Sequence, residues 1–212
     1  TRLPAERELA RQIGASRPTL REALRRMSEW GLVEARRGSG VVVRDRRSWA
    51  LEVLPSFLLH GKFGEDGPAM GRVVADMLEL RRTFLASLMS QVAPRVDDEG
   101  VAEARATLDQ AWASRDDIGT FAALDLRVFS VLFESAGMLP SLWLLNSIGR
   151  VYRELAPTLG QAIAPPDDYH ASLTSFIDAV EAGDGELAVE RLREYFTRTD
   201  ERLAKLLQAL GA

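Results

Sequence analysis

Hydrophobic positions follow two rhythms along the chain, and the change between them divides it. Pro4 opens a run of good helix formers in which Leu9 and Ile13 lie four residues apart on one face, and Gly14 ends the run. Ser16 has the chemistry of an N-cap. Pro18 stands in a first turn, where its missing N–H costs nothing, and Leu20, Leu24 and Met27 follow at helical spacing up to Trp30-Gly31. The rhythm then becomes that of strands. Leu32 to Ala35 and Val41 to Val43 are separated by Arg36-Arg37-Gly38-Ser39-Gly40, a hairpin tip with the glycines a tight turn needs. Helix, short turn, helix and hairpin in this order predict a winged helix-turn-helix over residues 1 to 43.

Arg44-Asp45-Arg46-Arg47-Ser48 interrupts the pattern, so a linker is expected at residues 44 to 51 and a second domain at 52 to 212. No strand alternation returns after it. Met77, Leu78, Leu80, Leu85, Leu88 and Met89 mark one helix, and Phe121, Leu124, Val128, Phe129 and Leu132 form an amphipathic stripe that Gly137 closes. Leu142 to Leu159, Tyr169 to Ala182 and about Glu186 to Leu210 predict three more, with Pro140, Pro157, Pro165 and Pro166 as breakers. The expected fold class is mainly α: an N-terminal winged helix-turn-helix followed by an all-helical bundle.

Charge sharpens this division. Residues 1 to 48 hold 12 Arg, no Lys and 6 acids, a net of +6; the other residues hold 15 basic and 25 acidic side chains, a net of −10, giving −4 overall. A basic block of that density points to a polyanion partner for the N-terminal segment. The 212 residues are 46% hydrophobic and 27% charged, an ordinary globular composition. No apolar run reaches the roughly 18 residues a spanning helix needs, and no basic-then-apolar leader opens the chain, so the default reading is a cytosolic protein with no membrane partner. Cysteine is absent, which excludes disulfides, thiolate metal sites and cysteine nucleophiles. Glycine-rich phosphate loops and nucleophile elbows are absent as well. The adjacent pairs Asp116-Asp117 and Asp167-Asp168 read as loop and cap residues, and an enzyme is not expected.

Leu3-Pro4-Ala5-Glu6-Arg7-Glu8-Leu9-Ala10, Ser16-Arg17-Pro18-Thr19-Leu20-Arg21-Glu22-Ala23-Leu24, Gly31-Leu32-Val33 and Arg37-Gly38-Ser39-Gly40-Val41 resemble the winged helix-turn-helix of GntR-type bacterial transcription regulators. Members usually carry a helix and a Pro-Gly turn before the Leu-Pro, whereas this chain begins at Thr1, so the first helix is expected to be missing here. The remainder resembles the helical effector domain of the FadR branch. Phe121-Ala122-Ala123-Leu124-Asp125 with Phe129, Leu145-Asn146 with Tyr152, and Tyr169-His170 are most similar to the fatty-acid regulator that gives the branch its name. The resemblance implies a homodimer that binds a palindromic double-stranded operator with an affinity set by a small apolar acid, acyl-CoA or a fatty acid. Ligand in the bundle would shift helices beside the linker and alter the spacing of the two recognition helices.

A recognition helix that enters the major groove N-terminus first puts Ser16, Arg17, Thr19 and Arg21 nearest the bases and phosphates. The resemblance adds Arg7 as a phosphate or base contact and the wing-tip Arg37 with Gly38 as a minor-groove contact. For Arg25, Arg26 and Arg36 a solvated charged face is the competing reading. In the bundle the resemblance assigns the effector to Arg81, Phe121, Asp125, Tyr152, Arg193 and Tyr195, with Arg81 suited to receive a carboxylate in bidentate fashion. For Arg81 an inter-helix salt bridge competes. An apolar tunnel lined by Phe84, Leu88, Phe121, Leu124, Val128, Leu145, Ile148 and Tyr152 would suit an acyl chain, and each of these is also a plain core residue. Phe196, Leu203 and Leu159 stand where the fatty-acid regulator has glycine, tryptophan and tyrosine, which removes stacking groups from a CoA site. Many members of the branch hold a divalent cation through an Asp, a His four residues later and two further His. Here Asp125 is followed by Phe129 and the chain has only His60 and His170, so no metal and no resident cofactor is expected, and Asp125 is expected in a local polar network.

Overall fold

The computed structural model describes residues 1–38, 40–60, 70–160 and 164–209, and they form two units that divide between His60 and Gly61. Ser39 of the wing tip, Leu210 and the side chains of Leu159 and Leu203 fall outside the described residues.

In the first unit α1 spans Glu6–Gln12 and α2 spans Arg17–Glu29. The Ser16 hydroxyl accepts a hydrogen bond from the Thr19 N–H at 3.2 Å, satisfying one of the donors a helix start leaves free, and Pro18 occupies the first turn. Leu20 is buried against α1, where Ala10 is the buried position. Strands β1 (Val33–Arg36) and β2 (Gly40–Val43) pair antiparallel with Val33 opposite Val43. The N-terminal residues extend this wing beyond the expected hairpin: Leu3 N–H donates to the Val41 carbonyl at 2.9 Å and Val43 N–H to the Thr1 carbonyl at 2.8 Å. Gly38 has φ +77°, the left-handed conformation that the tip requires and glycine adopts freely.

The segment expected as a linker is tied into this unit instead. Arg44 N–H donates to Leu32 and Ala50 N–H to Trp30, both at 2.9 Å, and short 3-10 turns run over Arg46–Ser48 and Leu51–Val53. Gly31 explains how the chain can return so closely: φ is +73°, and a β-carbon there would stand 2.1 Å from the Ser48 carbonyl oxygen. Arg46 lies over the rings of Trp49 and Phe57, which meet edge to face at 5.9 Å, and α3 (Leu54–His60) completes the unit. Polar composition at Arg44 to Ser48 suggested a connection between domains; backbone hydrogen bonds and two aromatic rings make it part of the first one.

The second unit is all helix: α4 (Met70–Val92), α5 (Asp98–Ala113), α6 (Ile118–Ser135), α7 (Leu139–Leu159), α8 (Tyr169–Glu181) and α9 (Gly185–Ala209). Helix α5 packs on α6 and α8, α6 on α7, and α9 on α4 and α8. Met89, Val92, Leu108, Leu132, Phe133, Tyr169, Phe176 and Leu192 are fully or nearly fully buried at the centre. Two boundaries differ from the sequence reading. Pro140 opens α7 rather than breaking it, because a first turn needs no N–H from proline, and the helix runs past Pro157 to end at Leu159. Helix α5 had no marker of its own, since its buried positions are Gly100, Val101, Ala104, Thr107, Leu108 and Ala111, only two of them larger apolar side chains.

Candidate nucleic-acid interface and effector cavity

The residues expected at DNA all lie exposed on the first unit. Arg17 and Arg21 are four apart on α2 and share a face; Arg7 is exposed on α1, Arg37 and Gly38 at the wing tip. Their partners sort the arginines into two groups. Arg25 pairs with Glu22 and Glu29, Arg26 with Glu22, and Arg36 with Glu34, as the solvated-face reading expects. Arg7, Arg17 and Arg37 make no ion pair with any described residue, which leaves their full charge for phosphate or base edges. Arg21 is intermediate: its Nε donates to Glu6 at 2.7 Å while the side chain stays 71% exposed. The Ser16 and Thr19 hydroxyls sit 2.7 Å apart and serve the helix start, so they shape the N-terminus of the recognition helix that Arg17 opens.

In the bundle, Arg81, Phe84, Asp125, Phe129, Tyr152 and Phe196 are among the residues around a cavity of ≈ 30 Å³, room for about one water. Leu145 and Ile148 complete part of the apolar wall, and the described side chains leave no tunnel of acyl-chain length there. Asp125 accepts a hydrogen bond from the Tyr169 hydroxyl at 3.0 Å. Burial pushes its carboxyl up to about 6, against the opposing effects of that hydrogen bond and of the Arg81 charge. The same burial, with the Asp125 charge nearby, holds the hydroxyls of Tyr152, Tyr169 and Tyr195 above the ordinary phenol range, so all three stay protonated donors.

Among the described residues Arg81 is the single cation lining the cavity. Its guanidinium lies 4.4 Å over the Phe196 ring, and its Nη2 donates to Asp200 Oδ1 at 2.6 Å, the inter-helix bridge between α4 and α9. Its Nε–H is buried and has no hydrogen-bond partner among the described residues. Arg82 approaches the other Asp200 oxygen at 3.7 Å. Asp200 and Phe196 were not singled out as ligands from sequence, yet a signal exists: Ala188, Leu192 and Phe196 recur every four residues on the buried face of α9, and Asp200 continues that row.

The other expected effector residues are not brought to this cavity. Phe121 is buried against Tyr169 at 5.0 Å, and Tyr195 is buried 6.0 Å from the same ring. Arg193, two residues before Tyr195 and so about 200° around the helix at 3.6 residues per turn, faces an open surface groove with Glu186, Glu190, Glu194 and Arg198. The His170 Nε2 lies 2.7 Å from Asp109 Oδ1, a carboxylate oxygen that accepts its N–H, beside Trp112, and His60 is exposed at the end of α3. A divalent cation does not fit Asp125. The groups around its carboxylate are a tyrosine hydroxyl and an arginine charge, with Phe129 lining the same cavity, and the described residues hold no cluster of three His, Cys, Asp or Glu side chains.

A winged helix-turn-helix and an all-helical bundle with a small cavity are the two parts that the comparisons with known proteins match. The chain belongs to the GntR family of bacterial regulatory proteins, whose description matches residues 1–43, and it carries an FCD domain at residues 76–198. It is 32% identical over 187 residues to the HTH-type transcriptional regulator Mce2R of Mycobacterium tuberculosis, covering 86% of this chain and 74% of that one. It is 31% identical over 135 residues to the fatty acid metabolism regulator protein of Cronobacter sakazakii, covering 64% of this chain and about half, 53%, of that relative. Among solved structures, Lar, which controls expression of the Listeria monocytogenes agr system, superposes with a TM-score of 0.67 at 15% identity over 96% of this chain and 86% of Lar, a likeness of fold. The family and these relatives are transcriptional regulators, so the chain is a DNA-binding regulator with an effector domain and not an enzyme. No described helix is long and apolar enough to cross a membrane.

Proposed function

We propose that the chain is a homodimeric regulator of fatty-acid metabolism that binds a palindromic operator and responds to a free apolar acid in the bundle. The observation that carries the effector class is Arg81: one guanidinium in an apolar wall, with a buried Nε–H that no group among the described residues satisfies. A carboxylate supplies that partner. An acyl-CoA has no free carboxylate to offer it, and Arg193, the residue expected at a CoA head group, stands in a groove with Glu186, Glu190, Glu194 and Arg198, three acids against two arginines, which does not favour phosphates. The likeness to the Cronobacter regulator supports the pathway, and the unpaired Arg7, Arg17 and Arg37 support an operator contact through α1, α2 and the wing. No resident cofactor or metal enters this reading.

A second reading, a shorter organic acid, is favoured by the ≈ 30 Å³ of the cavity, which a long chain would have to widen by moving Phe84 and Ile148. One experiment separates the two. Palmitate, palmitoyl-CoA, decanoate and butyrate are titrated against the fluorescence of Trp30, Trp49, Trp112 and Trp143, and operator affinity is followed by anisotropy at constant salt. Saturation by the long free acids at about micromolar concentration with loss of operator affinity is expected. Saturation by butyrate alone selects the shorter acid; no response to any acid leaves the bundle as a dimerisation module.

A further inference from the structure

The polar half of the cavity is already in use. A guanidinium presents its Nε–H and Nη2 along one edge, and a carboxylate fills that edge with two parallel hydrogen bonds. Asp200 takes only the Nη2 half, through Oδ1 at 2.6 Å, while its other oxygen leans toward Arg82 Nη1 at 3.7 Å. The Nε half is buried and unmet by any described residue. Asp200 is itself poorly placed for a charge: its side chain is 13% exposed, and burial outweighs both arginines and holds its carboxyl above the usual range. It reaches this position because α9 brings it there on the row of Ala188, Leu192 and Phe196, with Phe196 serving as the platform under Arg81.

We propose that Asp200 is a built-in competitor for the effector's carboxylate. Effector binding exchanges one carboxylate for another on the Nε and Nη2 edge of Arg81 and releases Asp200, with the part of α9 that follows it, from α4. This rests on the free-acid reading above and adds what selects the ligand and what moves. Arg81 is paired with one carboxylate before the exchange and one after it, so a monocarboxylate enters without leaving Arg81 uncompensated in either state. A neutral ester has nothing to exchange. A second carboxylate on the ligand would meet the apolar wall of Phe84, Phe129 and Leu145, or Asp125.

The test uses the full chain, decanoate and methyl decanoate, with binding followed by calorimetry. In the Asp200→Asn variant the competitor is weakened without loss of volume, and decanoate binding is expected to tighten by about tenfold while the methyl ester remains weak. Decanoate binding to the wild type that is unchanged or weakened in the variant overturns the competitor role and leaves the free-acid reading standing. Binding of decanoate to neither protein removes that reading, and the competitor role with it. A measurement on the wild type alone covers a variant that does not fold. Backbone hydrogen exchange over residues 197 to 209 is expected to quicken on saturation with decanoate, and unchanged or slowed exchange there overturns the proposal.

Discussion

The two units use arginine in opposite ways. In the first, Arg7, Arg17 and Arg37 stand exposed with no ion pair among the described residues, while Arg25, Arg26 and Arg36 are spent on neighbouring acids. In the second, Arg81 is drawn into an apolar wall, stacked on Phe196 and bridged to Asp200 from another helix. A free surface cation suits a long polyanion that arrives from solvent, because the charge keeps its full reach and salt dependence. A half-buried cation with one unmet donor suits a small anion that must shed its water to enter. The proposed division, DNA at one unit and an acid at the other, draws its support from this contrast in side-chain environment.

The strongest way to break the contrast is to remove the backbone feature that holds the first unit's surface in place. A methyl group at Gly31 meets the Ser48 carbonyl oxygen at 2.1 Å in a left-handed conformation, so Gly31→Ala is expected to cost about 3 kcal/mol or more, from strain and displacement together. Operator binding should be lost while most far-UV helical signal, which comes from the bundle, persists. Retained operator affinity would mean that residues 44 to 60 do not support the reading head.

Next in size is the charge buried in the bundle. The Asp125 carboxyl is raised to about 6 from 3.8, so the folded state holds its proton more tightly than the unfolded chain does. The stability this confers is fully present below about pH 4 and is lost as pH rises through about 6, a change of up to about 3 kcal/mol for a shift of this size. Asp125→Asn keeps an acceptor for Tyr169 and cannot titrate. Urea unfolding of both proteins at pH 4.5 and pH 7.5 should show the variant gaining stability relative to the wild type at the higher pH. Equal differences at the two pH values would mean that Asp125 is ionised at little cost.

Much of this was legible in the chain, unevenly. The helix-turn-helix and its wing could be read residue by residue because a short motif fixes turn glycines, a cap and exposed arginines at once. Helix α5 escaped notice because only two of its buried side chains are larger and apolar, which leaves little hydrophobic contrast. Arg81 and Asp125 were legible as candidates, whereas Asp200 was not, since its role depends on α9 lying against α4, a pairing between residues 119 positions apart. Arg193 and Tyr195 show the converse limit. Adjacent in a motif, they point to different sides of one helix.

The free-arginine half of the contrast is sharpened by a paired measurement on α2. Arg17→Ala is expected to weaken operator binding by about 1 to 3 kcal/mol and to relax base preference if Arg17 reads a base edge, or to weaken all sequences alike with a shallower salt slope if it holds phosphate. Arg25→Ala should change affinity by less than about 0.5 kcal/mol, since Glu22 and Glu29 already hold that guanidinium. Equal losses in the two variants would erase the distinction between free and paired arginines.

The smallest expected effect tests whether the recognition helix is positioned by its cap. The Ser16 hydroxyl accepts from the Thr19 N–H at 3.2 Å and lies 2.7 Å from the Thr19 hydroxyl, so Ser16→Ala removes both contacts at the helix start, at about 1 kcal/mol. If Ser16 acts only through the fold, Ser16→Asp should restore stability, because an aspartate caps as well and favours the positive end of the helix. Operator affinity separates the roles. Aspartate beside Arg17 adds negative charge where phosphate is expected, so the restored fold should come with weaker DNA binding. A variant that regains both stability and operator affinity would place the phosphate contact elsewhere on α2 and leave Arg21, despite its bond to Glu6, as the nearer candidate.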